Sequence, residues 1–268
     1  MSRSAVTSVC LATIVASLIT LPARPAAADG DDPDLAYFFN GGAVPFVWGS
    51  ALIGAFSLTM SPRDEPFGFS AAEGGLEIKG DTIPEYQVAM LAGVTSGLMA
   101  APSRPARWFH LKGFAEAVLT TAAITGVTKN VVGRHRPSHS PGSNNLDLRR
   151  SFFSGHASIT LATMTYFGLY LQRHVFAEWR PADSEIAWWE PIPLAALVAI
   201  SAYVPYTRID NNRHHPSDIL TGAAVGTATA VAFYIYQERR FRDRRRRDKP
   251  SRITLAPTAN GLVIGGSF

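Results

Sequence analysis

Six apolar segments, separated by polar or Pro- and Gly-bearing turns, run from residue 43 to residue 237 of this 268-residue chain. They cover about 43–60, 85–101, 113–128, 157–172, 191–206 and 217–237. Each is predicted to be a helix, and no internal repeat links them. The first is interrupted by Pro45, Gly49 and Gly54. The last has Pro216 at its start, where a missing N–H costs nothing. The predicted fold is an all-α bundle of five to six helices, with the functional residues collected at helix ends.

Two solvents suit such a bundle. The clean apolar stretches run to about 15–18 residues, whereas a bilayer-crossing helix needs about 20, and mean hydropathy is only +0.07. Helices buried in a soluble bundle therefore stay open beside short spans. Two patterns favour a membrane-embedded bundle. Trp179, Trp188 and Trp189 cluster between two segments, as an interfacial aromatic belt would. Basic residues gather on one side: Arg104, Arg107 and Lys112, then Arg173 and Arg180, then the run Arg239 to Lys249. The positive-inside rule makes that side cytoplasmic and the opposite side exported. A basic run directly after an apolar helix is expected to flank a membrane span rather than to bind nucleic acid.

Residues 1–28 carry the marks of a secretory signal: Arg3, an apolar stretch over 5–21, and Ala26-Ala27-Ala28 before Asp29. An uncleaved anchor is the alternative. The only cysteine, Cys10, falls inside this segment, so the remainder depends on packing without disulfides. Residues 29–84 form an extension with one apolar segment and a polar, Gly/Pro-rich loop over 61–84. The core is expected over 85–237 and a basic tail over 238–268. Within that tail Asn260-Gly261 lies between two short apolar runs, a hairpin signal that competes with a disordered tail. Export at the N-terminus creates a conflict. Three crossings by 43–60, 85–101 and 113–128 would leave Lys129 in the cytoplasm, so either 43–60 does not span or the protein is soluble outside the membrane.

Three short stretches carry chemistry. Lys129 and Arg136 are seven apart, about two helical turns, so both can face one anion from a helix end, and Pro137 stops the helix. Ser154-Gly155-His156 opens the next apolar segment. Gly155 lets backbone approach a ligand, and the first N–H groups of the helix can meet phosphate oxygens. Arg208 precedes His214 by six residues, and Asp218 follows His214 by four. A carboxylate on one imidazole nitrogen fixes the tautomer and supports the cation formed when the other nitrogen attacks. Taken singly, each has an ordinary structural explanation: a surface charge before proline, a helix cap, a local His–Asp pair.

Together they resemble the type 2 phosphatidic acid phosphatase / vanadium haloperoxidase superfamily. Its signature is Lys, six residues, Arg-Pro; then Pro-Ser-Gly-His; then Ser-Arg, five residues, His, three residues, Asp. Lys129, Arg136 and Pro137 match in full. The second motif has Phe153 in place of its proline, and the third has Thr207 in place of its serine. The resemblance covers roughly 85–237. It implies His214 as nucleophile, giving a phosphohistidine, with Asp218 orienting it and His156 protonating the leaving group. It further implies that Lys129, Arg136, Arg208, Ser154 and Gly155 hold the phosphoryl oxygens, with no metal and no cofactor. Such a division agrees with phosphoryl transfer being mostly positioning and electrostatics.

The expected function is hydrolysis of a phosphate monoester or diphosphate, of a lipid by preference, on the periplasmic side of a bacterial inner membrane. The alternatives are a soluble periplasmic acid phosphatase of broad specificity, a vanadate-dependent haloperoxidase and a non-catalytic lipid-phosphate binder. No nucleic-acid partner is expected. Among the other histidines, His135, His139 and His215 are expected to be polar loop residues. A zinc site from His135, His214 and His215 is conceivable, although acidic or thiolate partners are missing nearby. His110 and His174 are expected at an interface or facing solvent.

Overall fold

A computed structural model describes residues 44–69, 75–80, 83–100, 106–140, 142–180, 185–247, 252–258 and 261–267. The expected signal over 1–28 and the acidic patch after it lie outside these residues. Among the described residues six main helices follow one another: α1 (Val44–Thr59), α2 (Glu85–Ala100), α3 (Arg107–Val132), α4 (Gly155–Tyr170), α5 (Pro191–Asp210) and α6 (Pro216–Arg247). α4 runs on through a π-helical turn, Leu171–Phe176, and one short turn, Ala177–Trp179. A 3-10 turn, Leu146–Arg149, lies between α3 and α4. The chain ends in an antiparallel pair, β1 (Arg252–Thr258) with β2 (Gly261–Ser267), so the hairpin signal in the tail is realised.

Every predicted helix is present, and two run longer than their apolar stretch. α6 continues through the arginine run to Arg247 instead of stopping at 237. Arginine is a good helix former, and pairs one turn apart support the extension: Glu238 with Arg242 at 2.7 Å, and Tyr236 with Arg240 at 3.0 Å. α3 starts at Arg107, before its apolar part, and ends at Gly133, whose φ of +62° makes a left-handed cap with its N–H on the Lys129 carbonyl.

The helices alternate in direction. α1 runs alongside α3 in the same sense, since Ser50 Oγ meets Thr120 Oγ1 at 2.9 Å and Asn130 Nδ2 donates to the Ser57 carbonyl at 2.6 Å. α4 and α6 lie parallel and pack closest at Gly222 and Gly226. A Cβ on Gly222 would stand 2.7 Å from the Ser154 carbonyl oxygen, and one on Gly226 would overlap the Ser158 carbonyl. This Gly-x-x-x-Gly contact lets two backbones touch. Phe114, Met164, Tyr166, Phe167, Tyr170, Leu197 and Tyr234 fill the core between the helices.

Inside and outside are composed unusually. The interior holds Lys112, Glu116, His110, Gln237 and Thr121, all at 0% exposure. The outside presents Leu52, Phe56 and Leu58 on α1, Met90 on α2, Ile192 and Val198 on α5, and Leu220 on α6. Lys112, counted above with the flanking charges, is thus a core residue. Only Trp188 of the three tryptophans projects outward; the Trp179 and Trp189 rings meet at a tilt, and Trp189 meets the Phe176 ring edge-on. α5 and α6, with 20 and 32 residues, are long and apolar enough to cross a membrane.

Candidate active site

The first turn of α4 meets the first turn of α6. Ser154 caps α4 with its Oγ accepting from the Ala157 N–H, and its own N–H donates to the Asp218 carbonyl at 3.0 Å. Gly155 opens the helix directly against Lys129: a Cβ there would lie 3.7 Å from the lysine Nζ. His156 follows, 6% exposed, with Nε2 donating to the Ile83 carbonyl at 3.0 Å. A helix N-terminus and a lysine thus border the same space.

α3 brings Lys129 to its last turn, and the loop beyond folds Arg136 inward to 3% exposure. Arg136 donates through Nε to the Asp147 carbonyl at 2.9 Å and through Nη2 to Asp147 Oδ1 at 2.8 Å. Its guanidinium is therefore held from the rear by the 3-10 turn.

α5 ends in a tight turn in which the Arg208 carbonyl accepts the N–H groups of both Arg213 and His214. Arg208 is 1% exposed and donates from Nη1 to the Ile83 carbonyl at 3.1 Å. His214 is 2% exposed, and its Nδ1 lies 3.6 Å from Asp218 Oδ2. That separation is longer than a hydrogen bond. Asp218 itself is fully buried and satisfied by others: Arg134 Nη1 at 2.5 Å, Ser151 Oγ at 2.5 Å and the His215 N–H at 3.0 Å. Ser151 Oγ also lies 3.5 Å from His214 Nδ1.

All eight residues singled out in the sequence therefore collect at one end of the bundle, outside the apolar lengths of the helices. Their mutual fields are visible in their acid–base properties. Burial lowers His214 to about 3, and the nearby Lys129 and Arg136 charges push the same way, although Asp218 opposes them. Burial and the charges of Arg208 and Lys129 take His156 down to about 4. Lys129 falls to about 8, mainly by desolvation and then by Arg136 and Arg208. Both imidazoles are held neutral near pH 7. The arrangement can attract an oxyanion and offer it a neutral nitrogen nucleophile.

Four further residues shape the site. Ser151 and Arg134 position Asp218, and Arg134 also bonds Ser217 Oγ at 2.7 Å and lies over the Phe69 ring. Ile83 and Glu85, at the start of α2, face His156, Lys129 and Arg208. The sequence signalled none of Arg134, Ser151 and Ile83. The described residues of 61–69 and 75–80 reach this end, with Arg63 N–H on the Asn130 carbonyl, Leu76 N–H on the Pro137 carbonyl and Lys79 paired with Asp210. The conceivable zinc set does not assemble: His215 Nε2 donates to the His135 carbonyl, and the His135 ring stacks on His139. His110 and His174 are also not where they were expected. His110 is fully buried and His174 packs against it, about 28 Å from Lys129 by the helix rise of about 1.5 Å per residue.

Comparison with known proteins places the eight residues from Lys129 to Asp218 within one matched segment. A family model described as the PAP2 superfamily matches residues 111–242. Phospholipid phosphatase 1 of Rattus norvegicus is 32% identical over 115 residues, 42% of this chain and 39% of the relative. Phospholipid phosphatase 2 of Rattus norvegicus is 30% identical over 146 residues, covering 46% and 50%. The same-named protein of Bos taurus is 34% identical over 88 residues, covering 33% and 29%. This chain thus spans half or less of the length of these relatives. No solved structure matches it.

Proposed function

Because residues 111–242 make this chain a member of the PAP2 superfamily, we propose that it is a phosphatase acting on a lipid phosphate monoester or diphosphate. The observation that carries this is a buried, neutral His214 beside Asp218, with Lys129, Arg136 and Arg208 gathered at the meeting of four helix ends. The phosphoryl group enters where the Ile83 carbonyl now accepts from His156 and Arg208, and its oxygens replace that carbonyl as acceptor. The α4 N-terminus and Lys129 take the other oxygens.

His214 Nε2 then attacks phosphorus, forming a P–N bond as the P–O bond to the alcohol or phosphate breaks. His156 delivers its proton to the departing oxygen. The bound dianion raises the His156 pKa from about 4, because it offsets the Arg208 and Lys129 fields, and so allows that imidazole to carry the proton. In the second half a water oxygen attacks phosphorus, His156 accepts the water proton, and the P–N bond breaks to release phosphate. Asp218, braced by Ser151 and Arg134, supports the charge that develops on His214.

The lipid reading rests on what surrounds the site. The outward-facing Leu52, Phe56, Met90, Ile192, Val198 and Leu220 suit hydrocarbon, and the polar interior suits a bundle whose helices bond to one another rather than to solvent. The arginine-bearing ends of α4 and α6 lie opposite the site, which supports an exported, periplasmic active face by the positive-inside rule. Six alternating helices also start residue 44 at the arginine end, so a crossing α1 requires the preceding residues to be cytoplasmic.

The test is phosphate release from a panel of lipid and soluble phosphates in EDTA, by wild type and His214→Ala. Activity on lipid phosphates, an acid-labile phosphoprotein and their loss in the variant are expected. An acid-labile phosphoprotein that persists in His214→Ala would move the nucleophile elsewhere. Release of the protein by carbonate wash would instead favour the soluble acid phosphatase. With Cys10 replaced, a cysteine at Leu76 should react with a membrane-impermeant thiol reagent from outside, and one at Arg245 should not.

A further inference from the structure

We propose that His110, His174 and Glu238 form a binding site for a divalent transition-metal ion of the zinc type, at the end of the bundle opposite the phosphate-facing residues. Three helices supply one ligand each: His110 from the first turn of α3, His174 from the π-helical turn after α4, and Glu238 from α6. Their donor atoms all lie within 4.8 Å of one another. His110 Nε2 is 3.2 Å from Glu238 Oε2, and His174 Nε2 is 2.9 Å from the same oxygen. Ligands of a tetrahedral zinc, at about 2.0–2.1 Å from the metal, stand about 3.3 Å apart, so only a small opening of the triangle admits the ion.

The atoms behind these donors are arranged as metal ligands need them. His110 Nδ1 meets the Tyr166 hydroxyl at 3.2 Å, whose oxygen can accept a hydrogen bond from Nδ1–H when Nε2 coordinates. Tyr234 stacks on the His110 ring and Tyr170 on the His174 ring, which limits rotation of both. Glu238 Oε1 accepts from Arg242 Nε at 2.7 Å and has Arg173 Nε at 3.7 Å, leaving Oε2 for the metal. Those two guanidiniums oppose a cation, but their side chains are 54% and 61% exposed and water screens them. The π-helical turn matters here because its extra residue resets which side chain faces inward, and such turns recur at functional sites.

Two imidazoles and one carboxylate select a borderline ion over magnesium or calcium, which prefer all-oxygen shells. A cavity of about 600 Å³ beside the cluster, lined by Arg173, His174, Glu178, Glu238, Arg242 and Arg245, gives the fourth position to water or an anion. The ion would staple the ends of α3, α4 and α6 together, and its binding energy would add to the stability of the fold.

The experiment uses the full chain in detergent, stripped with EDTA, dialysed and titrated with zinc alone. Wild type should bind one equivalent and gain several degrees in Tm. His174→Gln and Glu238→Gln should lose both effects, while His214→Ala keeps them. Cobalt(II) in place of zinc should give the visible absorption of a four-coordinate ion. Failure of folded wild type to bind zinc overturns the site, leaving a hydrogen-bonded His–Glu cluster. Equal stabilisation by magnesium, or zinc retained by both variants, also overturns it.

Discussion

The two ends of α3, α4 and α6 use the same residue types to opposite effect. At the phosphate-facing end the Lys129 amine, Arg136 and Arg208 are buried around the site, with Arg136 held by the Asp147 carboxylate and Arg208 donating to the Ile83 carbonyl. Their fields add to burial in keeping His156 and His214 neutral. At the other end the arginines stand at the surface and converge on a carboxylate, Glu238, which two imidazoles also share. One end gathers buried cations around the proposed phosphate site. The other is already balanced within itself, with one carboxylate oxygen turned toward nitrogen donors. The charges alone do not distinguish them; their burial and partners do.

The strongest test of that contrast is a pair of substitutions. His214→Ala removes the proposed nucleophile and should lower kcat by at least about 10³-fold, the scale seen when a covalent catalyst is lost. Glu238→Gln, some 30 Å away by helix rise, should leave phosphate release within about two-fold at a temperature where the fold is intact. A comparable loss in both would mean that the ends act as one unit. Next in size, Arg208→Ala should cost about 10²–10³-fold in kcat, as for deletion of one oxyanion donor. KM should change less, because the cation counts most where charge develops.

Packing separates the ends in a third way. At the phosphate end Gly226 faces the Ser158 backbone, which cannot yield, whereas Gly113 at the far end faces the Tyr166 hydroxyl and Gln237 Cγ, which can swing aside. Gly226→Ala should therefore lower stability by about 2–3 kcal/mol, and Gly113→Ala by less, on the usual scale of overpacking. Thermal unfolding of both variants in one detergent makes the comparison. A larger loss at Gly113 would contradict it.

Local signals explain why some of this was legible in the sequence. Apolar length and Pro216 disclosed the helices, and fixed spacing within three motifs disclosed Lys129, Arg136, Ser154, Gly155, His156, Arg208, His214 and Asp218. Each of those spacings is set within one helix end or turn. Ser151, Arg134 and Ile83 were not legible because their partners are 67, 84 and 125 residues away, and only the bundle brings them together. His110 was misjudged for the same reason. Its neighbours Tyr166, Tyr234 and Glu238 arrive from other helices, so a histidine near a predicted helix start looked like a surface residue.

The smallest expected effect is also the most diagnostic of a receptor poised by its own charge. Lys129 loses its proton near pH 8, so its cation is present below that pH and disappears as pH rises through it. kcat/KM, which reports the free enzyme, should be level below about pH 7, drop to about half at pH 8 and fall about ten-fold by pH 9, where about a tenth of the lysine stays charged. A bound phosphate dianion favours the charged amine and raises its pKa, so the fall in kcat should come later than the fall in kcat/KM. Lys129→Arg keeps the charge throughout this range and should flatten the alkaline limb, at some loss of rate because the planar guanidinium cannot stand against Gly155 as the ammonium does. Glu238→Gln should leave the limb where it is. A limb unmoved by Lys129→Arg would mean that another group, and not the buried amine, sets the alkaline behaviour of the receptor.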